Sequence, residues 1–371
     1  MKAFKITIFF VLVLLCNNAS LSSQKISIED QLTLLFDSVA KIKCEHVTTE
    51  RKIPGFLVSV KSKNINYEKA FLYSGGISEP ITINMGFRIG SITKTFTLTV
   101  LLQLVDEKKL GLDDPLSNFF PEFPNGKNIT VRMLGNMTSG IYDYTLDEVR
   151  FVQVMEKQPY KRWTNQELVN IAKQHNPKFA PGDSFNYSNT NTILLGMIIE
   201  KLTNNTLAEE INDRISVPLG LKNTYIPMDS ALSAPYSKGH VTEITGCNVD
   251  VTNAFDPSWA GAAGIIVSNL HDMNIYIKAL GSGILISKES QKERLQWVYK
   301  DPAGIFKYGL GIFELRGGFL GHNGGIPGYS DVAVYSPEKD CSIIFMSNMY
   351  MEDPAFTNSI ASRVIDILYG K

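Results

Sequence analysis

Strand-type sequence patterns lie at both ends of this chain of 371 residues, and helix-type patterns fill its middle. Alternating apolar residues predict strands at 55–61, 66–73, 85–89, 308–316, 318–322, 330–336 and 341–348. Helical spacing predicts terminal helices at 28–43 and 354–368, with shorter helices at 128–137, 164–175, 191–202, 206–215 and 268–280. The simplest fold with this order is one antiparallel sheet formed from both chain ends, flanked by the N- and C-terminal helices, with an all-helical lobe inserted.

This arrangement is an α+β fold, and we predict a single domain over residues 24–371. Its α/β lobe would contain about 24–94 and 300–371, and its helical lobe about 95–299. A mature chain of this length can bury a full hydrophobic core. The sequence has no internal repeat and no low-complexity segment that would indicate a repeat or disordered architecture.

Residues 1–23 have the layout of a secretory signal peptide. Lys2 and Lys5 precede an apolar run over 6–16, and small polar residues follow over 17–23. The apolar run is too short for a stable transmembrane helix, and no later run is long and apolar enough. Cys16 follows the bulky Leu15, which argues against a lipoprotein site. The sequence therefore predicts an exported protein, periplasmic or secreted after cleavage, with no stable membrane span.

Charge and cysteine content exclude several classes of partner. The chain has 36 Lys and Arg against 37 Asp and Glu, so no basic excess favours nucleic acid. Three cysteines remain after cleavage, Cys44, Cys247 and Cys341, and they allow one disulfide or three buried thiols. None has a metal-type spacing to the other cysteines or to the five histidines. We therefore predict no metal site and no cofactor.

The strongest candidate for chemistry is the stretch from Phe87 through Ser91 to Lys94. A strand leads into Gly90 and a helix follows, so Ser91 and Lys94, three residues apart, lie on one helical face. Free N–H groups of a first helical turn can bind an oxyanion. A desolvated lysine amine can take the proton of a serine hydroxyl. The alternative for this short pattern is a helix N-cap with a solvated lysine one turn later.

A second candidate segment, 179–189, ends in Tyr187-Ser188-Asn189 just before a predicted helix. Pro181-Gly182 predicts a turn, which would leave the Tyr187 phenol on a loop, free to point into a cleft. Neighbouring cations would lower its pKa, and the phenolate would then be a usable base. The alternative is a surface turn in which Ser188 or Asn189 caps the helix.

A third candidate segment is Gly321-His322-Asn323-Gly324-Gly325, among the C-terminal strands. Glycines inside a strand permit close approach of a ligand or another backbone. His322 could donate a hydrogen bond to a substrate anion or to Tyr187. The alternative is a hairpin turn with an incidental histidine.

Ser-x-x-Lys, Tyr-x-Asn and His-x-Gly, in this order, resemble the motifs of the penicillin-recognising serine hydrolases. Within that superfamily the chain resembles the D-alanyl-D-alanine carboxypeptidases and class C β-lactamases over essentially all of its mature length. The segments 134–143, 194–201 and 260–269 add to the resemblance. It implies a β-lactamase/transpeptidase-like fold and a hydrolase whose acyl-enzyme forms on serine, with a small peptide, ester or β-lactam as substrate and no cofactor.

The resemblance also implies roles at matching positions. Ser91 would be the nucleophile, Lys94 would assist its deprotonation, and Tyr187 would act as base and proton relay. Asn189 would hold the substrate amide, and His322 would occupy the first position of the Lys/His-Thr-Gly motif. The substrate-binding strand would consist of Asn323, Gly324 and Gly325, and the N–H groups of Gly325 and Ser91 would form the oxyanion hole.

Two residues depart from the family pattern. Asn323 replaces the usual threonine, whose hydroxyl helps to bind a substrate carboxylate, so this ligand for a C-terminal carboxylate is missing. Met137 occupies a position where relatives commonly have histidine.

Several functions remain open at this stage. The default is a D-alanyl-D-alanine carboxypeptidase, and an esterase or class C-type β-lactamase would use the same residues. A non-catalytic penicillin-binding homologue is disfavoured because Ser91, Lys94 and Tyr187 are all present. No Gly-x-Ser-x-Gly occurs, which argues against a Ser-His-Asp hydrolase. We expect substrate choice to depend on a pocket around Tyr142, Trp259 and Tyr329.

Overall fold

A computed structural model describes residues 26–40, 53–72, 80–242, 248–302, 304–351, 353 and 355–370. Its helices are α1 Ile28–Ala40, α2 Thr93–Asp106, α3 Val131–Gly135, α4 Gln153–Lys157, α5 Asn165–Lys173, α6 Asn189–Thr203, α7 Leu207–Ile211, α8 Val217–Leu219, α9 Gly261–Gly264, α10 Leu270–Ser282, α11 Lys288–Arg294 and α12 Ala355–Tyr369. Its strands are β1 Gly55–Ser62, β2 Ile65–Leu72, β3 Gly86–Arg88, β4 His240–Thr242, β5 Asn248–Asp250, β6 Val267–Asn269, β7 Tyr299–Lys300, β8 Phe306–Tyr308, β9 Phe313–Leu315, β10 Phe319–Ile326, β11 Tyr329–Ser336 and β12 Cys341–Ser347.

The main sheet contains strands from both ends of the chain. Its order is β2-β1-β12-β11-β10-β9-β8-β7, and every neighbouring pair is antiparallel. The N-terminal hairpin joins the C-terminal strands where β1 pairs with β12, with Val58 opposite Phe345. The predicted α+β sheet formed from both chain ends is confirmed.

Helices α1 and α12 cover one face of this sheet. Their apolar side chains share one buried cluster with Val58, Val334 and Phe345 of the strands. Leu32 of α1 and Val364 of α12 are both fully buried in this cluster. Because alternate residues of a strand point to opposite faces, the same strands also supply Ala333 and Ile344 to the core on the other side.

Helix α2 runs through that second core and is buried on nearly every side. Ten consecutive residues from Thr93 to Leu102 are buried, so the helix is a central element and not a surface one. Helices α6, α9 and α11 and the strand β10 pack against it. Lys94, in its first turn, is therefore carried into the interior by the helix itself.

The predicted helical lobe, about 95–299, also contains short strands. Strands β4 and β5 pair with each other there, and β6 pairs with β3 in a separate two-stranded sheet. The third strand predicted, at 85–89, therefore does not join the main sheet. The exact lobe boundaries stay a prediction.

The strand predicted at 308–316 is broken into β8 and β9. Gly311 between them has a φ of +60°, and its N–H donates to the carbonyl of Gly135. Leu310 and Ile312 consequently turn into the core around α2, whereas Tyr308 and Phe313 belong to the cluster on the opposite side. The alternation of apolar residues was present in the sequence, but it did not reveal this turn.

Some predictions lie outside the described residues. They concern the signal peptide at 1–23 and the cysteines Cys44 and Cys247. Cys341 is described, and it is a buried free thiol. Among the helices described, none combines the length and hydrophobicity needed to cross a bilayer.

Candidate active site

Ser91 lies in a 3₁₀ turn, Gly90–Ile92, that joins β3 to α2. Backbone pairing holds this turn on the side of β6, since the N–H of Ile89 donates to the carbonyl of Ile266 at 3.0 Å. Gly90 has a φ of +48°, and a Cβ there would lie 2.6 Å from the backbone nitrogen of Gly325. Glycine is required because the turn must lie directly against β10.

The Lys94 amine is completely buried and contacts Ser91. Its Nζ donates to Ser91 Oγ at 2.9 Å, to Asn189 Oδ1 at 2.8 Å and to the Ala263 carbonyl at 2.8 Å. All three acceptors are uncharged, so none offsets the cost of burying an ammonium with an opposite charge. The alternative of a solvated lysine is wrong.

Burial lowers the pKa of Lys94 from 10.5 to about 7, and the more distant Asp143 opposes this effect. Desolvation disfavours the charged form of an amine, which is the cause expected for a lysine without a carboxylate partner. A substantial fraction of Lys94 is therefore neutral near pH 7 and can accept a proton.

Tyr187 reaches the same point from the loop before α6. Backbone hydrogen bonds fix this loop to the segment 137–140: Lys178 N–H donates to Gly140, Gly182 to Thr138 and Asn186 to Met137. The Tyr187 hydroxyl is hydrogen-bonded to Ser91, and Lys94 Nζ lies 4.8 Å from the centre of its ring. The predicted turn at 181–182 is thus part of the support for the site.

The expected phenolate is not what the structure favours. Burial raises the pKa of Tyr187 well above 10, although the hydrogen bond with Ser91 partly opposes the rise. Part of the residue faces the cleft, but the surrounding protein dominates the environment of its hydroxyl. Tyr187 is therefore a neutral phenol, and Lys94 is the group whose pKa suits a base near neutral pH.

Asn189 links Lys94 to a buried carboxylate. Its Oδ1 accepts from Lys94 Nζ, and its Nδ2 and backbone N–H both donate to Asp143 Oδ2, at 3.0 and 3.1 Å. Asp143 belongs to the segment 134–143 noted in the sequence, which did not indicate its contact with Asn189. The amide of Asn189 is thus held in one orientation.

Both ring nitrogens of His322 are engaged away from Tyr187. Nδ1 lies 2.6 Å from the carbonyl oxygen of Asn323, which accepts only, so Nδ1 carries the proton. Nε2 then accepts from the Tyr308 hydroxyl at 3.2 Å. Burial lowers the pKa of His322 from 6.5 to about 3, helped by Lys94. The expected hydrogen bond from His322 to Tyr187 is wrong, and its ring is neutral.

Strand β10 brings Gly324 and Gly325 against the turn of Ser91. A Cβ at Gly324 would lie 2.0 Å from the carbonyl oxygen of Ile89 and 3.3 Å from the backbone nitrogen of Ser91. Asn323 lies beside them in the same cavity wall. Glycine at 324 is therefore what permits the close approach of the two backbones.

A cavity of about 480 Å³ opens beside Ser91, a volume within the usual range for small-molecule sites. Asn323, Gly324, Gly325 and His322 form one side of it. Five aromatic side chains also line it and form what we call the aromatic wall: Phe185, Tyr187, Phe306, Tyr308 and Phe313. The ring of Phe185 stacks on that of Tyr299 of β7, with the ring centres 4.5 Å apart.

The residues predicted to shape the pocket are elsewhere. Tyr142 donates its hydroxyl proton to Leu146, Tyr329 is buried and donates to Ser237, and Trp259 packs against Phe151. None of the three is among the described residues that line the cavity. The sequence shows aromatic residues at 306, 308 and 313. It did not indicate that they lie on one face, because this depends on the break between β8 and β9.

No group of three or more His, Cys, Asp or Glu side chains in the described ranges is arranged to hold a metal ion.

The chain matches the beta-lactamase family model over residues 43–360. It is 25% identical to penicillin-binding protein 4* of Bacillus subtilis (strain 168), over 88% of this chain and 75% of that protein. It is 29% identical to the D-aminopeptidase of Brucella anthropi, over 88% of this chain but 61% of that enzyme.

Solved structures agree with this result. A D-stereospecific amidohydrolase from Streptomyces sp. superposes with a TM-score of 0.75 at 35% identity, covering 85% of this chain and 94% of that one. The D-amino acid amidase of Ochrobactrum anthropi SV3, complexed with D-phenylalanine, has a TM-score of 0.76 at 25% identity, with 92% and 100% covered. The predicted β-lactamase/transpeptidase-like fold is confirmed. The chain belongs to the beta-lactamase family, as a serine hydrolase related to penicillin-binding proteins and D-aminopeptidases.

Proposed function

We propose that this protein is an exported amidohydrolase that cleaves amides or short peptides of D-amino acids through an acyl-enzyme on Ser91. The observation that carries the proposal is the buried Lys94 amine, 2.9 Å from Ser91 Oγ and with its pKa lowered to about 7. A neutral amine at this distance from a serine hydroxyl is an activated nucleophile pair.

The proposed reaction uses each group once in acylation. Neutral Lys94 takes the proton of Ser91 as Oγ bonds to the substrate carbonyl carbon. The backbone N–H groups of Ser91 and Gly325 stabilise the oxyanion of the tetrahedral intermediate. Tyr187, a neutral phenol, passes the proton from the Ser91–Lys94 pair to the departing nitrogen as the C–N bond breaks. Water then cleaves the ester by the reverse proton path.

The cavity favours an uncharged apolar group over a carboxylate. Five aromatic side chains line it, and His322 is neutral. The one charged side chain among its described lining residues is the acidic Asp353. A free C-terminal carboxylate would enter this space without a cation to compensate for its lost hydration. The relatives named for activity on D-amino acid amides and peptides support the same substrate class.

A D-alanyl-D-alanine carboxypeptidase is the second candidate, supported by the penicillin-binding relatives. Its substrates end in a carboxylate, so the cavity would have to bind a negatively charged group. The substrates of the first candidate place an uncharged group there. Esterase and β-lactamase activities would use the same nucleophile.

The first experiment is covalent labelling with a fluorescent penicillin, followed by mass analysis of the labelled peptide. We expect the adduct on Ser91 and no labelling of Ser91→Ala. Ser188→Ala is the matched control, because Ser188 is buried beside Tyr187 and its hydroxyl has no hydrogen-bond partner among the described residues. Labelling that persists in Ser91→Ala would place the nucleophile at another residue.

A substrate panel separates the candidates. We expect D-phenylalanine amide to be cleaved faster than D-alanine amide, because the aromatic wall buries the larger side chain, and the L-enantiomers to be poor substrates. A peptide ending in D-Ala-D-Ala should be cleaved more slowly than its C-terminal amide. The reverse order would favour the carboxypeptidase.

Export is proposed from the pattern of residues 1–23 alone. Expression of the full chain with N-terminal sequencing of the mature protein tests it. We expect a start between Ser20 and Gln24, and an intact Met1 in the cytoplasmic fraction would contradict export.

A further inference from the structure

We propose that Asp143 is a positioning residue for the reaction at Ser91: acting through Asn189, it orients the Lys94 amine and sets the pH at which that amine becomes a base. The inference rests on the proposed acyl-enzyme function. Asp143 has no contact with Ser91 and does not line the cavity in the described part of the chain, so its effect must pass through Asn189.

The orientation of Asn189 follows from the chemistry of its partner. A carboxylate only accepts hydrogen bonds, so Asp143 Oδ2 requires the Nδ2 end of the Asn189 amide. The Oδ1 end is then turned to Lys94, 2.8 Å away. Without Asp143 the amide could rotate and present Nδ2 to the amine, which would lose one of its three acceptors.

Asp143 is itself fixed in place. It begins the 3₁₀ turn Tyr144–Leu146, where Oδ1 accepts from the backbone N–H and the hydroxyl of Thr145, each at 3.0 Å. The next residue of α6, Thr190, ties the same segment from the other side, since its hydroxyl donates to the carbonyl of Tyr142 at 2.7 Å. Asp143 is only 5% exposed. Both carboxylate oxygens are occupied, so the side chain cannot turn away from Asn189.

The electrostatic environment of the Lys94 amine contains the negative charge of Asp143 and several neutral groups. The loop before α6 contributes the neutral Tyr187, β10 contributes the neutral His322, and α9 contributes a backbone carbonyl. Asp143 is the negative charge that favours the ammonium form and partly opposes burial. Removing the charge should therefore make the amine neutral at lower pH.

The test is the pH dependence of Ser91 acylation by fluorescent penicillin in Asp143→Asn. We expect the acid limb of the second-order rate constant to move to lower pH by about half a unit or more, because a nearby opposite charge is lost. The maximal rate should fall by about tenfold or more, because Asn189 no longer has a fixed orientation. An unmoved acid limb overturns the proposal.

Asp147→Asn is the matched control. Asp147 also begins a helical turn in this segment and is equally buried, but its partners are Arg150 and His175. In Asp147→Asn the acid limb of the acylation rate constant should stay at the wild-type pH. A shift as large as that of Asp143→Asn overturns the proposal. Asp143→Glu keeps the charge, so its acid limb should remain close to wild type even if the rate falls.

If Asp143→Asn does not fold, Thr145→Val provides the second variant. It removes one hydrogen bond to Asp143 and keeps the charge, so we expect a lower maximal rate with an unmoved acid limb. A wild-type rate would contradict the positioning role. Failure of the proposed function would look different, because the wild-type protein would then not be acylated on Ser91 at any pH.

Discussion

At the scale of single residues, the protonation of Lys94 controls the reactivity of Ser91. Because burial lowers its pKa to about 7, the acylation rate should rise between about pH 6 and pH 8, as the amine loses its proton. The rate should then stay level up to about pH 10, since the pKa of Tyr187 is raised. Rate constants for acylation across this range check the prediction. A rise centred near pH 10 would mean that Lys94 is hydrated in solution.

Lys94→Arg is the sharpest variant for this prediction. Arginine resembles protonated lysine in charge and approximate length, but it stays protonated at every pH of interest and cannot act as the base. We expect acylation to fall by about a thousandfold, because the base is lost. Measurable activity with an unchanged pH profile would remove Lys94 from the mechanism.

Asp331 is another buried ionisable residue, on β11 opposite Gly324. Within the part of the chain that the structure describes, neither carboxylate oxygen has a hydrogen-bond partner, and burial raises the pKa of Asp331 well above 3.8. The backbone N–H of Ser347 opposes this rise without reaching hydrogen-bond geometry. Above pH 4 the unfolded chain loses this proton while the folded protein keeps it, so stability should fall as the pH rises toward the folded pKa.

Asp331→Asn should therefore stabilise the protein more at pH 8 than at pH 4. We expect the gain at pH 8 to exceed the gain at pH 4 by about 1 kcal/mol or more, because each pH unit between the unfolded and folded pKa costs the wild type about 1.4 kcal/mol and asparagine does not titrate. Urea unfolding at both pH values measures it. An equal effect at pH 4 and pH 8 would show that Asp331 has the same protonation in the folded and unfolded protein.

At the scale of elements, the contact of β10 with the Ser91 turn determines the geometry of the oxyanion hole. Gly324→Ala would place a methyl group 2.0 Å from the carbonyl oxygen of Ile89, so strand and turn must separate. We expect a loss of about a hundredfold or more in acylation rate, because one misplaced donor costs that much. Stopped-flow labelling of the purified variant measures it.

Gly325→Ala is the matched control on the same strand. Among the described residues, a Cβ there would contact Tyr350 alone, at an ordinary 3.4 Å, and the backbone N–H is retained. This variant should keep its acylation rate within about tenfold of wild type. Similar losses in both variants would mean that the fit of β10 against the turn does not control the rate.

The sequence could reveal this site only where the chemistry is local. Ser91 and Lys94 lie one helical turn apart, so their approach follows from the spacing alone. The hydrogen bond between Tyr308 and His322 depends on the turn at Gly311, which exchanges the faces of the strand. The pKa of Tyr187 depends on burial by elements that are distant in sequence. The sequence suggested a lowered pKa on the condition that cations flank the phenol, whereas burial raises the pKa.

At the scale of the whole molecule, the order of elements along the chain was predictable and the small sheets were not. Long alternating stretches such as β1, β11 and β12 have enough residues to define a period of two. Strands β3 and β6 have three residues each, which is too few for any period to be recognised. They nevertheless hold Ser91, because β6 pairs with the strand that leads into it.

Because strands from both chain ends form one sheet, α1 should contribute to the stability of the active site, which is distant from it in sequence. Leu32 is fully buried between α1 and the sheet, whereas Leu34 on the same helix is 60% exposed. We expect Leu32→Ala to lower the free energy of unfolding by about 2 to 5 kcal/mol, because it leaves a cavity. Leu34→Ala should change it by about 0.5 kcal/mol or less.

Urea unfolding of both leucine variants should be followed by circular dichroism and by labelling of Ser91. Since β10 belongs to the same sheet as β1 and β12, we expect the two signals to be lost at one urea concentration, lower in Leu32→Ala and unchanged in Leu34→Ala. If labelling outlasts the circular dichroism transition in Leu32→Ala, the N-terminal layer unfolds separately. The active site would then be supported by the C-terminal strands and the helices around α2 without α1.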